Sequence, residues 1–311
     1  MLRHDGVSVN VLTPAGERIV KLRRGAEAPT VGDWLALDGD TLVAVLERSS
    51  LLRRRAAGGE DLQVLAANID LVLIACGLDR RVRAGRIQRG EALAWDAGAV
   101  PVLVLTKADL AEDLDGVLRT VAVDHPGLEC IVTSSAQGRG IPELRERLAG
   151  ATSVLLGESG AGKSRLVNAV LGEDVAVTGA VREGDAKGRH TTTNRQLHLV
   201  PGGGVLIDSP GIREVGLAGD EESVDATFTD VEELGLECRF NDCAHAGEPG
   251  CAVAAAVEAG TLSPERLAAY LELRKEAASA ARRADEHARR AHERQFTKMV
   301  KSHVKKKPGR S

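Results

Sequence analysis

Aromatic side chains are scarce in this sequence: six in 311 residues, namely Trp34, Trp95, Phe228, Phe240, Tyr270 and Phe296. That scarcity argues against a nucleic-acid surface made of rows of stacked rings, which needs more rings than this. No apolar run approaches the roughly 18 residues of a membrane-spanning helix, and none follows Met1-Leu2-Arg3-His4-Asp5. A cytoplasmic location with no membrane partner is therefore expected. Cysteine is sparse as well, at five. In a reducing compartment such cysteines point to ligands or buried thiols rather than bridges.

What is present is a chain with 43% apolar and 28% charged residues, a balance that excludes wholesale disorder and collagen-like repetition. Its length corresponds to about two domains and is enough to bury about three quarters of the unfolded surface. The formal charge of −4 hides an asymmetry. Residues 265–311 carry 14 Lys and Arg against 6 Asp and Glu, a surplus of +8, which leaves −12 for the remainder. A basic arm seeking an anionic partner is one reading of this, and a solvated helix face is the other.

Residues 1–64 alternate short β-rich runs (Val7 to Leu12, Arg18 to Leu22, Trp34 to Leu37, Leu42 to Leu46) with Gly, Pro and Asp, the pattern of a small antiparallel barrel. Nine basic and nine acidic residues leave this segment neutral. From Asn68 the texture changes. Ile69 to Cys76, Val100 to Thr106, Cys130 to Ser134, Ser153 to Leu156 and Val205 to Ile207 read as strands buried on both faces. Helical patterns such as Ile87 to Trp95 and Pro142 to Leu148 between them imply a parallel sheet with crossover connections over 65–219. Residues 220–311 turn acidic, then Cys-rich, and then become a long Ala, Arg and Glu helix ending in Lys305-Lys306-Lys307.

Gly157-Glu158-Ser159-Gly160-Ala161-Gly162-Lys163-Ser164 follows a buried strand and precedes the helical run Arg165 to Leu171, the context a phosphate-binding loop requires. Its glycines let backbone N–H groups converge on phosphate oxygens. Lys163 supplies a point charge, and Ser164 a hydroxyl for Mg²⁺. Thr106-Lys107-Ala108-Asp109 ends another strand and resembles the guanine-reading NKxD motif, with Thr106 where Asn is usual. There Asp109 accepts both guanine donors and Lys107 lies along the ring; taken alone, the same Asp would be a helix cap. Ser134-Ser135-Ala136 stands where GTPases direct a backbone N–H at the guanine carbonyl oxygen. Asp208-Ser209-Pro210-Gly211 resembles the DxxG switch, in which Asp208 holds Mg²⁺ through water and Gly211 senses the terminal phosphate. The base-reading elements precede the phosphate loop, so the chain reads as a circularly permuted GTPase. Cys238, Cys243, His245 and Cys251 have the spacing C-x4-C-x-H-x5-C, four ligands for one closed, structural Zn²⁺ site.

Val31-Gly32-Asp33-Trp34, Ala67-Asn68-Ile69-Asp70, Gly188-Arg189-His190-Thr191-Thr192-Thr193 and Cys238-Arg239-Phe240-Asn241-Asp242-Cys243-Ala244-His245, together with the permuted order, resemble the signatures of the RsgA (YjeQ) family of ribosome small-subunit-dependent GTPases. The resemblance runs from about Val7 to about Glu276. It implies an α/β GTPase domain preceded by an OB-type barrel that binds RNA and followed by a zinc-binding helical domain. The implied partners are GTP or GDP with Mg²⁺ and the small ribosomal subunit with its rRNA, bound late in subunit maturation; a monomer is expected because that partner is itself large.

No Gln follows Gly211, where many GTPases keep their water-orienting residue; Ile212 stands there. Slow intrinsic turnover is expected, with His190 orienting water once the subunit orders switch I and Thr192 supplying a second hydroxyl to Mg²⁺. Lys163 meets transition-state charge. Two other readings stay open on the residues alone: a non-enzymatic, zinc-dependent RNA-binding protein with a nucleotide-stabilised scaffold, and an ATP-using enzyme.

Overall fold

The change of texture at Asn68 is a change of architecture. The computed structural model describes residues 3–4, 8–22, 28–55, 62–173, 196–208, 221–279 and 281–282. The first five strands, β1 (Arg3–His4), β2 (Ser8–Thr13), β3 (Gly16–Lys21), β4 (Leu35–Asp38) and β5 (Thr41–Val45), form one sheet in the order β1-β2-β3-β5-β4. All pairings are antiparallel except β3 with β5, which meet in parallel at Lys21 and Thr41. Alternation does the folding here: Val9, Val11, Val20 and Leu42 point inward and form a small core with Leu22, Leu35 and Leu37.

A hairpin of β6 (Leu51–Arg55) and β7 (Leu62–Ala67) follows. Its inward residues Leu52, Leu65 and Ala66 pack with Ile69, Val72 and Ile87 rather than with the first sheet's core. The hairpin thereby joins the N-terminal sheet to the larger unit.

That unit is a six-stranded sheet of β8 (Leu71–Gly77), β9 (Val100–Thr106), β10 (Glu129–Val132), β11 (Thr152–Gly157), β12 (Gln196–Leu199) and β13 (Val205–Asp208), ordered β10-β9-β8-β11-β13-β12. Five strands are parallel, and β12 alone runs antiparallel, against β13. Helices α1 (Ala84–Asp96), α2 (Leu114–Asp124), α3 (Ile141–Leu148) and α4 (Lys163–Leu171) make the crossovers. β8 is buried at all seven positions because apolar clusters cover both faces of the sheet. α1 reaches one face closely through Gly90, where a Cβ would lie 2.8 Å from the Ile74 side chain.

A third core belongs to α5 (Glu221–Thr227), α6 (Thr229–Gly235), α7 (Ala252–Glu258) and a last helix, α8, over 264–279. Phe228 and Tyr270 meet edge to face at 5.4 Å, and Ala92 and Leu93 of α1 complete the cluster. Arg266 fastens this unit to α2. It is 2% exposed, bonds the Asp124 and Thr227 carbonyl oxygens and both oxygens of Asp230, and lies over the Phe228 ring. Among the described residues no helix is long and apolar enough to cross a membrane.

Candidate active site and metal centre

Parallel strands deliver their C-terminal ends to one edge of the sheet, and ligands of open α/β folds bind outside that edge. Thr106 ends β9, Gly157 ends β11 and Asp208 ends β13. β8 lies between β9 and β11, so residues 106 and 157 belong to adjoining loops despite their separation in the chain.

The phosphate loop bends through Gly157, Gly160 and Gly162, at φ +148°, +81° and +81°. At Gly157 the bend also needs space, because a Cβ would lie 2.5 Å from the Ala75 carbonyl oxygen. Gly162 then starts α4, leaving that helix's first N–H groups directed at the loop. Lys163 curls back so that its ammonium donates to the carbonyl oxygens of Gly157 and Glu158, the latter at 2.6 Å. Glu158 pairs with Arg86 of α1, Ser159 and Gly160 are exposed, and Ala161 is buried; Ser164, second residue of α4, is half-buried.

Thr106 ties the base-reading turn to this loop. It is 3% exposed, and its hydroxyl donates to the Ala161 carbonyl oxygen at 2.6 Å. Lys107 takes φ +58° and opens a short 3-10 turn over Ala108–Leu110, which turns Asp109 outward. The Asp109 carboxylate accepts a hydrogen bond from the Ser134 hydroxyl, and Ser134 Oγ in turn accepts the Gln137 N–H at 3.3 Å. Asp109 is thus not the cap of the following helix; Asp113 caps α2 by accepting the Gly116 N–H. Ser135 and Ala136 face Arg165 and Asn168 of α4 across a cavity of about 580 Å³.

Thr106, Lys107, Asp109, Ser135, Ala136 and residues 157–164 accordingly occupy one edge of the molecule. Asp208 lies on the same edge, beyond β11, paired in register with Leu155 and Gln196. Gly211, His190, Thr192 and the residues after 282 lie outside the described residues.

Three site neighbours escaped the sequence reading. Ser134 acts through its hydroxyl, which orients Asp109, and not only through its backbone. Asp79, two residues past β8, accepts from the Lys107 ammonium at 2.6 Å. Burial opposes its ionisation, but hydrogen bonds from Lys107 and Arg80 prevail and hold its carboxyl below the ordinary value. Arg80 itself brings a guanidinium nitrogen to within 2.9 Å of where a Cβ on Gly160 would stand. An acid or base just beyond a strand end was the available signal, and it becomes specific only when the strands are ordered.

Away from this edge, Cys238, Cys243, His245 and Cys251 gather their ligand atoms within 4.8 Å of one another. Cys238 Sγ lies 3.9 Å from Cys251 Sγ, and His245 Nδ1 lies 3.6 and 3.5 Å from those two sulfurs. A tetrahedral Zn²⁺ with ordinary bond lengths places sulfurs about 3.8 Å apart and sulfur and nitrogen about 3.6 Å apart. The donor set therefore fits zinc in type, and Cys238, His245 and Cys251 fit it in spacing, with the Cys243 sulfur no more than 4.8 Å from any of them. The loop is shaped for it by His245 at φ +57° and by Glu248, whose carboxylate accepts the N–H groups of Ala246 at 2.8 Å and Ala244 at 3.1 Å.

The family described as RsgA GTPase matches residues 45–218. A Streptomyces avermitilis protein named small ribosomal subunit biogenesis GTPase RsgA is 44% identical over 289 residues, covering 89% of this chain and 78% of that relative. A protein of the same name from Xanthomonas axonopodis pv. citri is 48% identical over 260 residues, covering 82% and 71%. Among solved structures, YjeQ from Thermotoga maritima is similar with a TM-score of 0.67 at 27% identity, covering 89% of this chain and 96% of that one. YloQ, described as a circularly permuted GTPase, shares the fold with a TM-score of 0.65 at 24% identity over 90% and 94%.

Proposed function

This chain belongs to the RsgA GTPase family and hydrolyses GTP, and from that premise we propose that it does so on the small ribosomal subunit, as a factor in that subunit's biogenesis whose turnover the subunit stimulates. One observation carries the nucleotide reading: the Thr106 to Ala161 hydrogen bond draws the base-reading turn against the phosphate loop, so one purine nucleotide can span both.

In this reading the N–H groups of the loop and of the first turn of α4 receive the phosphates, and the Lys163 ammonium exchanges loop carbonyls for phosphate oxygens. Asp109 accepts the guanine ring N–H and exocyclic amine, its carboxylate steered by Ser134, while an N–H at Ser135 or Ala136 meets the guanine carbonyl. Mg²⁺, when bound, neutralises charge on the outer phosphates. Ser164 and Asp208 are the described residues whose positions suit it, with Thr192 the candidate from switch I. Gly211 senses the terminal phosphate, and His190 orients the attacking water.

The same proposal treats the N-terminal sheet as an OB-type barrel facing rRNA, the chain as three units near the expected 1–64, 65–219 and 220–311 with the 64/65 border falling inside β7 of the hairpin that packs on the larger unit, and the cysteine cluster as a structural zinc site. The permuted order gives the switch strand β13 a short path to α5 and the zinc unit, so loss of the terminal phosphate is passed toward the subunit. A cytoplasmic monomer follows from a partner that is itself large and cytoplasmic.

The test is phosphate release from GTP by the full chain with and without purified small subunits. Stimulation that disappears in His190→Ala, with GTP affinity retained, is the expected result. Turnover unaffected by subunits would overturn the proposal.

A further inference from the structure

We infer that Asp79 is a positioning residue for guanine recognition: it pins the Lys107 side chain across the gap between the phosphate loop and the base-reading turn, and so sets how tightly a guanine nucleotide is held. The inference deepens the reading just given and rests on its assignment of Lys107 and Asp109 to the guanine.

Lys107 leaves the backbone at φ +58°, a region that residues with a Cβ occupy only where the surroundings impose it. Its ammonium ends 2.6 Å from Asp79 Oδ2, with both side chains 24% exposed. Between these two fixed points the stem crosses a pair of glycines. A Cβ built on Gly77 would lie 3.7 Å from Lys107 Cδ, and one built on Gly162 would lie 3.7 Å from Lys107 Cε. The stem thus passes between the end of β8 and the phosphate loop at two positions without side chains, where an added Cβ would fill the space beside it.

A lysine held this way presents a flat row of methylenes with a cation at its end, a surface suited to the face of a purine. An unanchored lysine would have to give up its rotamer freedom when the nucleotide arrives. Asp79 imposes that order beforehand, so binding is not weakened by it. The same carboxylate draws in Arg80, whose Nη2 lies 3.3 Å from Asp79 Oδ2 and whose guanidinium hangs beside Gly160. One acid thereby organises two cations at the rim of the site.

The experiment uses the full chain and fluorescent N-methylanthraniloyl derivatives of GDP and ADP. Asp79→Ala should weaken GDP binding by about three- to tenfold and leave ADP binding unchanged. Asp79→Glu should recover part of the loss, and the near-isosteric Asp79→Asn, which keeps the fold, should behave like Asp79→Ala. In a Lys107→Met background, Asp79→Ala should cost far less than in the wild-type chain, since its main action runs through the ammonium and only the Arg80 contact remains to be lost. Unchanged GDP affinity in Asp79→Ala and Asp79→Asn would overturn the inference, as would an equal loss with and without the Lys107 ammonium. Equal affinity of the wild-type chain for GDP and ADP would instead overturn the guanine assignment beneath it, a result read before any variant is made.

Discussion

The Thr106 hydroxyl donates to the Ala161 carbonyl oxygen at 2.6 Å, joining residues 55 positions apart in the chain. The bond spans two loops that flank the end of β8, and both partners are buried, at 3% and 4% exposure.

Thr106→Val keeps the shape and removes the donor, leaving the Ala161 carbonyl without this partner. A loss of about 1–2 kcal/mol of folding stability is expected, with weaker GDP binding, while Thr106→Ser retains most of both. Urea denaturation and GDP titration of the two variants check this. Equal behaviour of Val and Ser at this position would show that the hydroxyl contributes nothing.

Glu248 shapes the loop of the proposed zinc site from outside the Cys238, Cys243, His245 and Cys251 cluster, by holding the N–H groups on either side of His245. Glu248→Ala is expected to weaken zinc binding by about tenfold while guanine-nucleotide affinity stays unchanged. Competition against a chromogenic chelator measures the first quantity and GDP titration the second. In the wild-type chain, prolonged chelation should melt the helical unit around Phe228 and Tyr270, because binding energy at such a site is also folding energy.

Arg266 is the charge buried between the zinc unit and α2. Arg266→Met strands Asp230 and frees the Thr227 and Asp124 carbonyl oxygens. Since the Asp230 side chain is 31% exposed, the expected cost is about 2–3 kcal/mol, below that of a fully enclosed pair. Arg266→Lys should recover little, because an ammonium cannot reach three elements as a guanidinium does. Chemical denaturation of both variants supplies the comparison.

His198 on β12 gives the stability profile an acid limb. Burial depresses its pKa below the ordinary 6.5, and the nearby Asp208 offsets this only in part. The unfolded chain therefore takes up a proton at higher pH than the folded one, so its contribution is fully present above about pH 6.5 and declines as pH falls through the lower, folded value. Urea midpoints between pH 8 and 5 should drop less steeply in His198→Gln; an unaltered slope would remove His198 from the account.

Much of the architecture was legible because buried strands are continuous apolar runs. Val100–Thr106 is bounded as its composition predicts, and the strands ending at Gly157 and Asp208 differ from expectation only at their ends. The hairpin Leu51–Arg55 with Leu62–Ala67 was not legible, since its arginines obscure an alternation that only the packing of Leu52 and Leu65 reveals. The edge strand Gln196–Leu199 has too few apolar residues to announce itself.

At the site, the order of residues alone marked out the candidates for phosphate, guanine and zinc, because those chemistries demand particular side chains at short spacings that the backbone transmits locally. Tertiary structure decided which distant groups would serve them: Ser134 for Asp109, Thr106 for the loop, Asp79 for Lys107, Arg266 for two units at once. Such pairings depend on which strands lie side by side, and strand order is set by the burial of whole faces, a property that no short stretch of sequence carries.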